Sequence, residues 1–235
     1  MKPLGDCLLY GIVDLGYVRD RNVGLVTSQL VAGGIDVLQV RAKGRSKPEI
    51  ADLVHAMLPI TKAAGVPLIV NDHPDLLQEV AADGCHVGQE DFGVAKARDL
   101  AGRPCIVGKS THSLEQAGSA QQEGADYIGF GPLFPTATKP SAVAVGLDQL
   151  AALHRTIDLP VFCIGGVKLE NLPDVVRAGA RRVCLVSDLV CASDVRAHTA
   201  AVKVLLRELG ADARDNSGGI HGGGAESTNP GLPTL

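Results

Sequence analysis

The chain has 235 residues, 46% hydrophobic and 20% charged, with a formal net charge of −4 and no basic cluster. That length buries a sizeable core in one large domain or two small ones, and the acidic balance argues against a nucleic-acid partner. No apolar run approaches the roughly 20 residues of a membrane span, and the opening Met-Lys-Pro-Leu-Gly-Asp lacks a signal-peptide core, so a cytosolic protein is expected.

Short apolar runs alternate with helical patterns along the chain. Aromatics make up 3% and Trp is absent, so Val, Leu, Ile and Ala must fill the core, which suits a parallel sheet wrapped in helices. Strand-like runs fall at residues 8–13, 35–40, 67–70, 84–87, 105–108, 127–130, 161–164 and 182–186. Helical patterns follow them at 22–32, 46–64, 75–82, 94–100, 113–123, 147–156, 171–178 and 194–209. Gly33-Gly34 closes the first helix, and Ser46-Lys-Pro-Glu49 and Ser113-Leu-Glu-Gln116 have the capping-box pattern. Eight βα units with right-handed crossovers predict a (β/α)8 TIM barrel over residues 1–210. An open doubly wound sheet would carry a glycine fingerprint after its first strand, and Asp14-Leu-Gly-Tyr17 is not one. Residues 211–235 are polar and Gly-rich and read as a flexible tail. The six cysteines form no C-x-x-C pair and read as reduced thiols, four of them (Cys85, Cys105, Cys163, Cys184) within apolar runs.

In such a barrel the site lies at the C-terminal ends of the strands. After the second run, Gln39-Val-Arg-Ala-Lys43 alternates so that Gln39, Arg41 and Lys43 share one side, a set suited to a polyphosphate bearing a polar ring. Asn71-Asp72 and Gln89-Glu-Asp91 end the next two units. Carboxylates from two strand ends can share Mg²⁺, although Asp72 could instead cap a helix. Gly108-Lys-Ser-Thr-His112 supplies Ser110, while His86, inside an apolar run, reads as a packed residue. Residues 126–140 leave a strand through Gly129, Gly131 and Pro132 and end in Thr136, Thr138 and Lys139, penned by Pro135 and Pro140. That is a stiff loop of donors for an anion. Ile164-Gly-Gly166 and Val186-Ser187 offer backbone donors and a short helix N-terminus for a phosphate.

Taken together, these motifs resemble the thiamine-phosphate synthase family over about residues 8–208. The resemblance implies a transferase that joins 4-amino-2-methyl-5-(diphosphooxymethyl)pyrimidine to 4-methyl-5-(2-phosphooxyethyl)thiazole, or its carboxylated form, releasing pyrophosphate. It implies that Gln39, Val40, Arg41, Ala42, Lys43, Asn71, Ser110 and Lys139 hold the pyrimidine diphosphate, with Arg41, Ser110 and Lys139 in the chemistry. Asp72 and Asp91 would hold Mg²⁺. Thr136, Ala137, Thr138, Gly166, Val186 and Ser187 would hold the thiazole phosphate. The expected partners are two phosphorylated small molecules, without nucleic acid or membrane; a homo-oligomer is left open. Two alternatives stand beside this reading: a thiazole tautomerase of the same fold, using a histidine placed as His112 is, and a non-catalytic phosphate-ligand binder.

Overall fold

Alternation along short strands divides the side chains into two shells, one inside a sheet that closes on itself and one between sheet and helices. The computed structural model describes residues 2–136 and 143–217, with side chains described as far as residue 210. The strands β1 (Leu9–Asp14), β2 (Val37–Arg41), β3 (Leu68–Asn71), β4 (Gly84–Val87), β5 (Ile106–Thr111), β6 (Tyr127–Phe130), β7 (Val161–Ile164) and β8 (Val183–Leu185) pair in order. All pairings are parallel, and β8 returns to β1 to complete the expected (β/α)8 barrel. The helices are α1 (Leu15–Val18), α2 (Val23–Ala32), α3 (Lys47–Ala64), α4 (Val94–Ala101), α5 (Leu114–Gln122), α6 (Leu150–Thr156), α7 (Leu172–Arg177), α8 (Ser187–Val190) and α9 (Val195–Ser217).

Local chemistry explains where these elements begin. Asn22 caps α2 by accepting the Leu25 N–H at 2.9 Å. Glu49 reaches back to the Ser46 N–H at 2.8 Å, completing the expected box at the start of α3. Three expectations shift. Residues 75–82 carry only a 3₁₀ turn, Pro74–Gln78, which is enough to bury Leu76 and Leu77 before the chain re-enters the sheet. β5 runs on to Thr111, because Lys109, Ser110 and Thr111 pair with Ile128, Gly129 and Phe130 of β6. α9 continues to Ser217, into the segment expected to be a flexible tail, since Ala211, Ala213 and Arg214 are strong helix formers and paired glycines come only at Gly218-Gly219.

The outer shell is aliphatic: Leu9, Leu38, Val40, Leu68, Val70, Cys85, Val107, Ile128, Val161 and Val183 pack under the helices. The lumen holds Tyr10, Ile12, Val37, Ile69, Tyr127, Phe162 and Cys184. Gly108 makes this possible, because a Cβ there would meet the Tyr127 ring at 2.1 Å. The six cysteines are free thiols. Burial pushes Cys7 up to about 11 and Cys85 and Cys163 up to about 12, so they act as small apolar residues rather than nucleophiles.

At the N-terminal ends of the strands a carboxylate recurs. Asp36, before β2, accepts the Leu8 and Leu9 N–H groups at 2.8 and 3.0 Å. Asp83, before β4, accepts Leu68 N–H at 2.8 Å, and Asp126, before β6, accepts Val107 N–H at 2.7 Å. Each carboxylate closes the lower edge of the preceding strand. Asp36 also takes the Lys203 ammonium from α9, a buried pair that fastens the last helix to the first strands.

Candidate active site

The C-terminal ends of the strands open into one cavity of about 340 Å³. Gln39 and Arg41 reach it from β2, Asn71 from β3, His86 from β4 and Ser110 from β5. Thr136, Gly166, Val186 and Ser187 close the opposite wall. Members of both sets assigned to the two ligands thus face one space, while Lys43 is not among the residues that line it. Val40 and Ala42 do not join them: their side chains lie in the shell under the helices, as the alternation of β2 requires. Ala137, Thr138 and Lys139 lie outside the described residues.

Arg41 is held by a buried acid from the neighbouring strand. Asp14 Oδ2 accepts Arg41 Nη1 at 2.5 Å, while its Oδ1 caps α1 by accepting Gly16 N–H at 2.9 Å. A guanidinium fixed this way keeps several N–H donors for a phosphate. Lys43, exposed just after β2, pairs with Asp72. Asp72 itself adopts φ +62°, a conformation costly for a residue with a Cβ, immediately after β3. Asp91, in the loop after β4, accepts Gly88 N–H at 2.6 Å. These acids follow adjacent strands. Two carboxylates are the donor type of a hard cation that keeps water and shares substrate phosphate. They do not fit a closed zinc site.

The wall formed by β7 and β8 is mostly backbone. Gly165 and Gly166 adopt φ +95° and +67°. A Cβ at Gly165 would strike Pro132 at 2.3 Å, and one at Gly166 would strike Phe134 at 2.7 Å, so only glycine lets this loop lie against the loop after β6. Asn171 Nδ2 donates to Gly166 O at 2.9 Å. Asp188 Oδ2 accepts Leu169 N–H at 3.2 Å and faces His198 Nε2 at 2.8 Å, tying the β7 loop to α8 and α9. Ser187 opens α8 beside this nest, where backbone donors can meet an anion without a charged side chain.

Several lining residues were not anticipated. His86 is no packed core residue; it lines the cavity, bonded to Tyr127 Oη at 3.0 Å and Ser110 Oγ at 2.9 Å. Its alternation with Cys85 and Val87, both in the outer shell, was the available signal. Asp14 and Tyr17 also line the cavity. His112, on which the tautomerase alternative turns, lines it as well, with Nδ1 donating to the carbonyl of Gly131, the residue before the cis Pro132.

A (β/α)8 barrel whose strand ends set cationic and amide groups against a glycine-lined wall is a barrel for anionic small molecules. The comparisons define it further. The chain belongs to the thiamine monophosphate synthase family, whose model matches residues 9–189. It is 37% identical over 206 residues to a thiamine-phosphate synthase of Halalkalibacterium halodurans, covering 87% of this chain and 98% of that one. It is 42% identical over 202 residues to a thiamine-phosphate synthase of Chloroflexus aurantiacus, covering 86% and 93%. Among solved structures, a thiamine phosphate pyrophosphorylase from Pyrococcus furiosus superposes with a TM-score of 0.80 at 28% identity, covering 88% of this chain and 99% of that one. No helix of the described residues is long and apolar enough to cross a membrane.

Proposed function

We propose that this chain is a thiamine-phosphate synthase, joining an aminopyrimidine diphosphate to a thiazole phosphate with release of pyrophosphate. The observation that carries the reading is the single cavity lined by Gln39, Arg41, Asn71 and Ser110 on one wall and by Thr136, Gly166, Val186 and Ser187 on the other, in a chain of this family. The C–O bond to the diphosphate breaks and its electron pair leaves with pyrophosphate. The pyrimidine ring stabilises the cation left behind, and the thiazole nitrogen closes the new C–N bond with its lone pair. No proton moves in this exchange, so the protein must supply charge and position rather than a base.

In this reading Arg41, Lys43 and Lys139 hold the departing pyrophosphate, and Gln39, Asn71 and Ser110 hold the pyrimidine. Thr136, Ala137, Thr138, Gly166, Val186 and Ser187 hold the thiazole phosphate. Asp72 and Asp91 would hold Mg²⁺, which neutralises diphosphate charge when bound. Val40 and Ala42 would contribute backbone alone. The enzyme would work in the cytosol on two phosphorylated small molecules, through one catalytic domain.

The deciding experiment combines protein, Mg²⁺ and both half-molecules, and follows pyrophosphate and thiamine phosphate together. Equal release of both is expected; well-folded protein giving neither product would overturn the reading. His112 supports a second reading, a thiazole tautomerase. With Nδ1 bound to a carbonyl, a neutral His112 presents Nε2 as a base in the same cavity. Proton exchange on the carboxylated thiazole phosphate without Mg²⁺, abolished in His112→Ala, would favour it.

A further inference from the structure

Five side chains from five strands form one unbroken polar line beneath the cavity. Gln39 Nε2 donates to Tyr10 Oη at 2.8 Å, and Tyr10 Oη meets Tyr127 Oη at 2.9 Å. Tyr127 Oη meets His86 Nδ1 at 3.0 Å, and His86 Nε2 meets Ser110 Oγ at 2.9 Å. Both ends of the line, Gln39 and Ser110, line the cavity.

The protons of such a line can be counted. Tyr10 and Tyr127 are 2% and 1% exposed, and burial pushes both phenols upward, so each carries one proton. Tyr10 receives from Gln39, so its own proton goes to Tyr127. Tyr127 in turn donates to His86 Nδ1. A nitrogen that accepts carries no proton, so a neutral His86 bears its hydrogen on Nε2 and donates it to Ser110 Oγ. Ser110 keeps its own hydroxyl proton for another acceptor. On the other end, Gln39 has committed one amide N–H to Tyr10, which fixes the amide and leaves its carbonyl oxygen to accept beside the second N–H. The direction is set by the Gln39 amide, which turns its Nε2 to Tyr10, and the packed rings hold the linked atoms at their spacing. Phe162 packs edge-on against Tyr10 and Tyr127 at 5.2 and 5.7 Å, and the His86 ring lies 5.5 Å from that of Tyr127.

We propose that Tyr10, Tyr127 and His86 are positioning residues that hold Gln39 as an acceptor and Ser110 as a donor toward the cavity. The relay thereby selects a ring that presents an N–H donor beside a lone-pair acceptor over a ring of reversed polarity. The choice of an aminopyrimidine as that ring rests on the synthase reading; the polarity of the relay does not. The energetic basis is the cost of leaving a buried donor or acceptor unpaired against the wrong ring.

The test has a spectroscopic arm and a binding arm, neither needing turnover. Protein labelled with ¹⁵N-histidine, with His86 assigned through His86→Gln, should show the Nε2–H tautomer. Tyr127→Phe removes the donor to Nδ1 and should give a mixture of tautomers in a folded protein. In the binding arm, 4-amino-5-hydroxymethyl-2-methylpyrimidine should bind about tenfold more tightly than its 4-oxo counterpart, whose donor and acceptor are exchanged. Tyr127→Phe should collapse that ratio toward one, and Tyr10→Phe should lower it in the same direction. An Nδ1–H tautomer in the unmutated protein, or a ratio unchanged in Tyr127→Phe, overturns the proposal. If the protein shows the Nε2–H tautomer and the ring preference but no coupled turnover, the relay stands and the synthase reading falls.

Discussion

The two ends of the barrel use the same residue type in opposite ways. At the N-terminal ends of the strands, the Asp36, Asp83 and Asp126 carboxylates are aimed at backbone N–H groups of the neighbouring strand. At the C-terminal ends, the Asp14 and Asp72 carboxylates are aimed at the side chains of Arg41 and Lys43, although Asp14 also accepts the Gly16 N–H. A backbone partner is fixed by the sheet and cannot be exchanged, so the lower acids serve closure even where, as at Asp36 and Asp126, they also take Lys203 and Arg98. A side-chain partner can turn to a ligand, so the upper acids serve the site. The position of an aspartate before or after its strand is what separates the two uses.

The largest effect expected from this contrast is on stability at the lower end. Asp36→Ala strips Lys203 of its buried partner and leaves two strand N–H groups unpaired. It should cost about 3–5 kcal/mol in denaturant unfolding, with no change in KM for either half-molecule in the remaining folded protein. Burial alone would raise the Asp36 carboxyl, but Lys203 and the Leu9 and Leu8 N–H groups outweigh it and hold the group below its ordinary value. Its contribution is therefore present above the unfolded carboxylate range and is lost as pH falls through the lower folded value. A stable Asp36→Ala protein would remove the distinction drawn here. Arg41→Met probes the upper end. Turnover should fall about 10²-fold or more with the loss of a fixed donor to the leaving group. The unfolding midpoint should move less than in Asp36→Ala, because Asp14 keeps the Gly16 N–H.

The barrel was legible because strand and helix alternate in short units and each strand alternates within itself. The site was legible where alternation and strand-end position agreed, as at Gln39, Arg41 and Ser110. Val40 and Ala42 entered the binding set through resemblance, and alternation sends their side chains to the outer shell. His86 was misread because its apolar neighbours suggested a packed strand, although those neighbours face the opposite side. The Tyr10–Tyr127 link joins residues 117 positions apart, and only closure of the sheet brings them together.

A smaller effect on the synthase reading is expected at Asp91, an exposed residue in the loop after β4. Asp91→Ala should leave stability within about 0.5 kcal/mol, as for a surface substitution. Turnover at limiting Mg²⁺ should fall about tenfold, corresponding to about 1.4 kcal/mol, and recover partly as Mg²⁺ is raised. Activity independent of Mg²⁺ concentration in both proteins would remove Asp91 from the metal site and weaken the account of the upper acids.

The smallest effect tests the start of β8, where the carboxylates found before β2, β4 and β6 give way to cations. Before β8 the chain carries Arg181-Arg182 in place of an aspartate, and Arg182 donates to the Gly5 carbonyl. The His154 ring on α6 lies close enough to feel both charges, and its Nε2 has no hydrogen-bond partner among the described residues. Burial first, then Arg181 and Arg182, lower its pKa to about 4. In the unfolded chain the group titrates near 6.5. Between those values the unfolded chain binds a proton that the folded chain refuses, so stability falls as pH drops from about 6.5 toward 4. His154→Leu keeps an apolar group at the site and removes the titration. Its melting temperature should therefore decline less steeply than that of the unmutated protein across this window, by on the order of a few °C. An identical slope in the two proteins would mean that His154 takes up its proton in the folded state, and that the cations before β8 do not govern this edge of the barrel.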